Sequence, residues 1–497
     1  MVPTTVMKLL GAAALLAIAP AAQGQHPTYD AVAWAGDFAQ LKAELENSYV
    51  NLAWAGSPES DVDVPQLERR ARAALAAASN DGEARDALLD FVAGFHDGHL
   101  SERPYLAKPI GPVEPEPAAV VLDARDPAGG CAALGYAATN PVLFSLPFES
   151  LPGFVLLSDG LTQPFRVGLV TGPGGNPVGL LRLQRFRPSA YPAVCPAVWA
   201  GLRAAGTPLT PDAIEAAAED IWHAELARSL TQIGSRGAKT LIVDVGQNGG
   251  GNDSGDWAVR LFTDRPVASA RLFMVAAPVS DGYFDEQIGS MTRGLTARPK
   301  AEGRKALEQA RAFFVRQKAS MSAHRCDLSW VWRERRPWRI DACNRLVDAG
   351  FADGARARLP AGAFGDRDVA ARLSWATATD PYAGAWTRPV YVLTDDKSMS
   401  SAEMFAAAMK DNGVAKTIGQ RTGGAGCGFM TDGPPLILAH SRLRFRIPNC
   451  LRLRADGTNE VAGIAPDFPL PPTDGESARA RAAHAVRIAA TDAGFAP

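Results

Sequence analysis

Apolar positions recur every three or four residues over the first hundred positions of the chain. Phe38, Leu41, Leu45, Tyr49 and Leu52 fall on one helical face, and Leu88, Leu89, Val92 and Phe95 on another. This period predicts a helical region over about 27–103. From about 104 to 176 proline and glycine become frequent, and short apolar runs such as Ala118 to Leu122 predict strands. Val178 to Leu183 opens a second strand-rich region. A helix follows, with Thr210 as N-cap, Pro211 at its first position and Asp212 in its first turn. Ile214, Ile221, Leu226, Leu230 and Ile233 form its apolar side. The buried strand Thr240 to Val243, a glycine-rich turn and a helix over Gly255 to Phe262 then indicate an α/β layer. Val390 to Leu393 predicts a further buried strand, and Ser401 to Lys410 a helix closed by Gly413. Leu443, Phe445 and Ile447 alternate with Arg442, Arg444 and Arg446, a hairpin pattern with a solvated arginine face. A last helix is predicted over Glu476 to Ala490. The charged, tryptophan-bearing stretch from about 284 to 385 reads as a mainly helical insertion, a lid or rim.

The 497 residues are enough for two or three domains. A net charge of −2 gives no sign of a nucleic-acid partner or an anionic membrane surface. At the N-terminus Lys8 precedes an apolar stretch, Leu9 to Ala19, and the small residues around Ala21 and Ala22. That order is a signal-peptide layout over residues 1–25, too short to span a bilayer comfortably. It predicts an exported protein, secreted or periplasmic, with no transmembrane segment after cleavage. The six cysteines agree with export. Nearest-neighbour pairing is expected: Cys131–Cys195, Cys326–Cys343 and Cys427–Cys450. Neither a CxxC pair nor HExxH is present, so no metal or other cofactor is expected.

The chemistry concentrates in Ser398-Met399-Ser400-Ser401-Ala402-Glu403, between the buried strand and its helix. A hydroxyl there sits near unpaired N–H groups that favour negative charge, as an acyl-transfer oxyanion requires. The same residues have a plain structural reading, since Ser400 and Glu403 have the spacing of a capping box. The turn Asp244 to Asn252 holds three consecutive glycines, Gly249 to Gly251, that would let backbone amides approach an anion. It is neither GxGxxG nor a P-loop, which disfavours nucleotide binding. A base for a serine is available in Phe95-His96-Asp97-Gly98-His99-Leu100. His96 reads as a surface-turn residue. Glu403, Glu460 and Asp97 are candidates to orient the base.

From about residue 80 onward these landmarks resemble the S41 peptidases, the group of C-terminal processing and tricorn-type proteases. Asp97-Gly98-His99 resembles the Asp-x-His of the tricorn-like branch. Val178 to Phe186 is similar to the strand entering the core, and Val243 to Gly251 to the strand with its Asn-x-Gly-Gly turn. Ser398 to Glu403 resembles the nucleophile motif, and Gly463 to Asp467 the Gly-x-x-Pro-Asp ending. The resemblance implies an α/β fold with a ClpP/crotonase-like β-superhelix core. It implies an N-terminal helical domain (26–103), a small β-rich region without a clear PDZ signature (104–176), a catalytic core (177–475) and a C-terminal helix (476–497). It also implies Ser400 as nucleophile, His99 as general base and Glu460 as the residue that orients it. Gly250 and Ser401 would be the oxyanion donors. Alanine stands at Ala425 where the processing proteases carry their lysine, so Ser–Lys chemistry is disfavoured. The position of the usual Asp-x-Arg arginine is Gly246.

The expected function is that of a serine peptidase acting on peptides or unfolded chains, of undetermined oligomeric state. The alternative is a binding protein that keeps the fold without turnover. An acyl-CoA enzyme is disfavoured by the export signal, and a Ser-His-Asp hydrolase of the α/β type by the absence of Gly-x-Ser-x-Gly.

Overall fold

The computed structural model describes residues 29–103, 122–137, 145–342 and 344–495. The expected signal peptide and the start of the Ala118 to Leu122 strand lie outside the described residues. At the centre is a seven-stranded sheet. Its strands, from one edge to the other, are Phe468–Pro469, Lys416–Gly419, Val390–Thr394, Thr240–Asp244, Pro177–Arg182, Arg166–Thr171 and Val155–Asp159. The first five run parallel, Arg166–Thr171 runs against them, and Val155–Asp159 pairs antiparallel with Arg166–Thr171. Thr240–Asp244 and Val390–Thr394 are buried at every position, because helices cover a parallel sheet on both faces; hence their unbroken apolar runs.

Two strands depart from the expected layout. Val155–Asp159 and Arg166–Thr171 fall in the region read as a separate β-rich unit, yet they extend the central sheet through backbone pairing with Pro177–Arg182. The stretch read as a helical insertion does carry helices Asp281–Thr296 and Ala301–Ser320. It also carries the strand Leu346–Phe351, which pairs with Arg271–Val275 in a second sheet completed by Cys450–Leu453. A third sheet joins Ser101–Glu102 to Arg444–Arg446 and Leu436–Ile437, fastening the N-terminal helices to the C-terminal third of the chain. Among the described residues no helix is long and apolar enough to cross a membrane.

The expected helices form nearly where the periodicity puts them. Pro211–Ser235 is capped by the Thr210 hydroxyl, which accepts from Ala213 N–H at 3.2 Å. Ser401–Asp411 and Ala478–Asp492 follow as expected. Cys131–Cys195 and Cys427–Cys450 are disulfides. Cys326 is disulfide-bonded too, and Cys343 lies outside the described residues.

The helix after Ser400 is anchored by Phe405, which is fully buried with its ring 5.3 Å from Phe186 and 5.7 Å from Phe262. Truncation there leaves a cavity that a close-packed interior cannot fill. Phe405→Ala is expected to lower stability by about 3–5 kcal/mol, read as a shift of the urea midpoint. A shift worth less than about 1 kcal/mol would mean the helix is held mainly by its polar start.

Candidate active site

Asp244 and Leu393 are paired in register at the carboxyl ends of adjacent parallel strands. The glycine turn after Asp244 and the serine loop after Thr394 therefore leave the sheet side by side, where open α/β sheets bind ligands. Polar contacts join the two. Met399 N–H donates to the Asn248 carbonyl at 2.9 Å. The Ser398 hydroxyl donates to Val245 O at 2.8 Å, and that of Ser401 to Asn252 O at 2.6 Å. Asp395 accepts from Gln247 N–H at 3.0 Å.

At this junction Ser400 has φ 55° and ψ −123°. An ordinary N-cap is extended; a side-chain-bearing residue at positive φ stores about 1–3 kcal/mol of strain. The capping box between Ser400 and Glu403 forms, but it is one part of a larger arrangement. The Glu403 carboxylate is wholly buried. It accepts from Ser400 N–H at 2.9 Å, Thr422 Oγ1–H at 2.7 Å, and the N–H groups of Gly424, Ala425 and Gly426 at 2.7, 2.8 and 3.2 Å. Burial raises the Glu403 carboxyl above the ordinary range, while all of these donors favour its charged form. Glu403 thus ties the strained serine to the loop that carries Ala425.

That loop meets His99. His99 Nδ1 lies 2.7 Å from the Ala425 carbonyl. A carbonyl only accepts, so Nδ1 carries the proton and Nε2 is left as the acceptor, the tautomer a general base needs. The ring lies edge-to-face with Phe429 at 5.8 Å, and Gly428 packs flat against it, since a Cβ there would stand 2.8 Å from the ring atoms. The His99 N–H donates to the buried Asp97 carboxylate at 2.9 Å. Burial raises the Asp97 carboxyl, and the facing His99 opposes that shift. His96 is exposed. No hydrogen bond joins His99 to Ser400 in this structure.

Two expected roles come out differently. Glu460 is not the hydrogen-bond partner of the His99 ring, whose Nδ1 is taken by Ala425. Glu460 faces Arg452 Nε at 3.2 Å. Arg452 gives both terminal nitrogens to Asp256, at 2.7 and 2.6 Å, and stays charged. Glu460 keeps only that flank contact, so burial prevails and its carboxyl is pushed up to about 7. Near the same arginine, buried Asp353 and half-buried Asp253 are pushed up to about 7 and about 6, also by desolvation. The Gly250 amide is engaged as well, donating to Asn248 Oδ1 at 2.8 Å. Gly250 itself lies against the serine, where a Cβ would stand 2.5 Å from Ser400 Cβ. Ser401, the first residue of its helix, offers a backbone N–H of the kind that helix starts leave unpaired. Sequence reasoning missed Asn248 and Arg452. Only a polar residue inside the glycine turn, and an arginine two after Cys450, hinted at them.

Because Glu460 is raised in the folded chain, the fold holds its proton better than the unfolded chain does. That contribution is complete below the ordinary value of 4.5 and is lost as pH rises through about 7. Glu460→Gln should therefore gain thermal stability relative to wild type on going from pH 5 to pH 8. An offset that does not change with pH would contradict the assignment.

Residues 302–470 match the sequence profile of Peptidase family S41, a span that includes most of the stretch read as an insertion. No curated protein matches the chain by sequence. Among solved structures, mature CPAF is 15% identical, with a TM-score of 0.54, covering 92% of this chain and 96% of its own. Mature CPAF complexed with lactacystin is 15% identical, with a TM-score of 0.56, covering 93% and 99%. The family S41 profile therefore covers the serine loop and the segment before it, and the fold of mature CPAF is shared over nearly the whole length.

Proposed function

We propose that this protein is an exported serine peptidase that cleaves peptides or unfolded chains at Ser400. The observation that carries the reading is the convergence on one buried carboxylate: Glu403 holds both the strained serine and the loop whose Ala425 carbonyl fixes the His99 tautomer. His99 Nε2 would take the serine proton as the hydroxyl attacks the scissile carbonyl, then return it to the leaving amine. The helix-start amide of Ser401 would face the oxyanion. Gly250 contributes the absence of a side chain beside Ser400, and its amide would join the hole by releasing Asn248. A mainly apolar cavity of about 420 Å³ opens beside the His99–Phe429 contact, lined by Val279, Phe429, Leu436 and Ile447 together with Glu44 and Arg446. It suits an apolar side chain of a peptide substrate. The disulfides support export.

A second reading rests on two observations, the engaged Gly250 amide and the absent His99–Ser400 bond. Both suit a protein that binds peptides or other ligands without turning them over. Unliganded enzymes also show long catalytic hydrogen bonds, which keeps the peptidase reading first.

Against a denatured reporter protein, with products sized by mass spectrometry, Ser400→Ala is expected to abolish cleavage. His99→Ala should reduce turnover by about 10²–10⁴-fold. Cleavage unchanged in folded Ser400→Ala would remove the serine assignment. A merely twofold effect of His99→Ala would point to another base.

A further inference from the structure

The base is anchored at two points, its backbone on neighbouring Asp97 and its ring on Ala425, 326 residues further along the chain than His99. What sets the distance between them is a chain of buried polar groups outside the site already described. Asp97 Oδ2 accepts from the Tyr49 hydroxyl at 2.9 Å and from Asn51 Nδ2 at 3.0 Å. Asn51 Oδ1 in turn accepts from Asn459 Nδ2 at 2.9 Å, a bond across 408 residues. Asn459 Oδ1 accepts from Val461 N–H at 3.1 Å. Val461 abuts the Ala425 loop, where a Cβ on Gly426 would stand 3.1 Å from the Val461 nitrogen. The circuit closes on itself: His99, Asp97, Asn51, Asn459, Val461, the loop, and His99 again. Tyr49, Asn51, Asp97 and Asn459 are all buried. Burying so many polar groups is unfavourable unless each is satisfied, and here both ends of the Asn51 amide are.

We propose that Asn51, with Tyr49 beside it, is a positioning residue for the His99 base, so that the N-terminal helical region is a working part of the active site. This rests on the peptidase reading above. Neither side chain touches substrate. Asn51 couples the backbone anchor of His99 to the loop holding its ring, and Tyr49 fixes the second oxygen of Asp97. An error of about 1 Å in such a base costs about 10²-fold in rate, while substrate contacts elsewhere are unaffected.

The test uses the full chain with Tyr49→Phe and Asn51→Ala. Tyr49→Phe keeps the ring, which lies edge-on to Phe95 at 5.6 Å, so it remains informative should Asn51→Ala fail to fold. Two readouts are taken: steady-state cleavage of a peptide found by digesting a denatured reporter with wild type, and the NMR signal of the His99 Nδ1 proton. Tyr49→Phe is expected to lower kcat about tenfold and Asn51→Ala about 10²-fold, with KM changed by less than about threefold and the Nδ1 proton signal shifted or broadened. Wild-type kcat in the folded variants, a loss confined to KM, or an unmoved Nδ1 signal would overturn the proposal. Wild type that cleaves nothing would count against the peptidase reading alone, and the Nδ1 signal would still decide the positioning role.

Discussion

The structure depends on one buried carboxylate. Glu403 sits at the third position of its helix, where its local task is to cap the backbone. It also collects three consecutive N–H groups and a hydroxyl from residues 422–426. Such a group cannot be replaced by a neutral isostere without turning an N–H₂ toward N–H donors, at roughly 1–3 kcal/mol for each donor left unpaired. The contacts hold Ser400 in a conformation it would not adopt alone, and the same loop presents the Ala425 carbonyl to His99. Ser400 and His99, the proposed nucleophile and base, are thus both positioned through one buried carboxylate.

This arrangement gives a physical sense to the alanine at position 425. In a Ser–Lys site the loop would deliver an amine to the serine. Here its backbone carbonyl fixes the tautomer of a histidine from the far end of the chain. The Cys427–Cys450 disulfide lies next to that loop and two residues before Arg452. Through Arg452 it meets Asp256, in the short helix after the glycine turn, and Glu460, beside the loop again. Two circuits, one of hydrogen bonds through Asn51 and one of ion pairs through Arg452, therefore surround His99 and Ser400.

Much of this was legible in the sequence, for a reason that also marks its limit. Strands 240–244 and 390–394 and the capped helices follow from local periodicity and capping chemistry, whereas the pairings Cys131–Cys195 and Cys427–Cys450 were expected only as a nearest-neighbour choice that spacing does not determine. What was not legible depends on partners far along the chain. Glu460 carried no sign that Arg452 would claim it, and nothing near Gly250 showed that Asn248 would fold back onto its amide. Val155–Asp159 and Arg166–Thr171 looked like a separate region because a strand pattern does not name its neighbour. The capping box was readable at Ser400 and Glu403, but the four further donors on Glu403 lie about twenty residues on.

The most direct measurement is fluorophosphonate labelling of the folded protein with peptide mapping, on wild type and His99→Ala. The account predicts label on Ser400 in wild type, and labelling in His99→Ala slowed by orders of magnitude. Label on another serine, no label on folded wild type, or labelling of Ser400 at the same rate without His99 would contradict it.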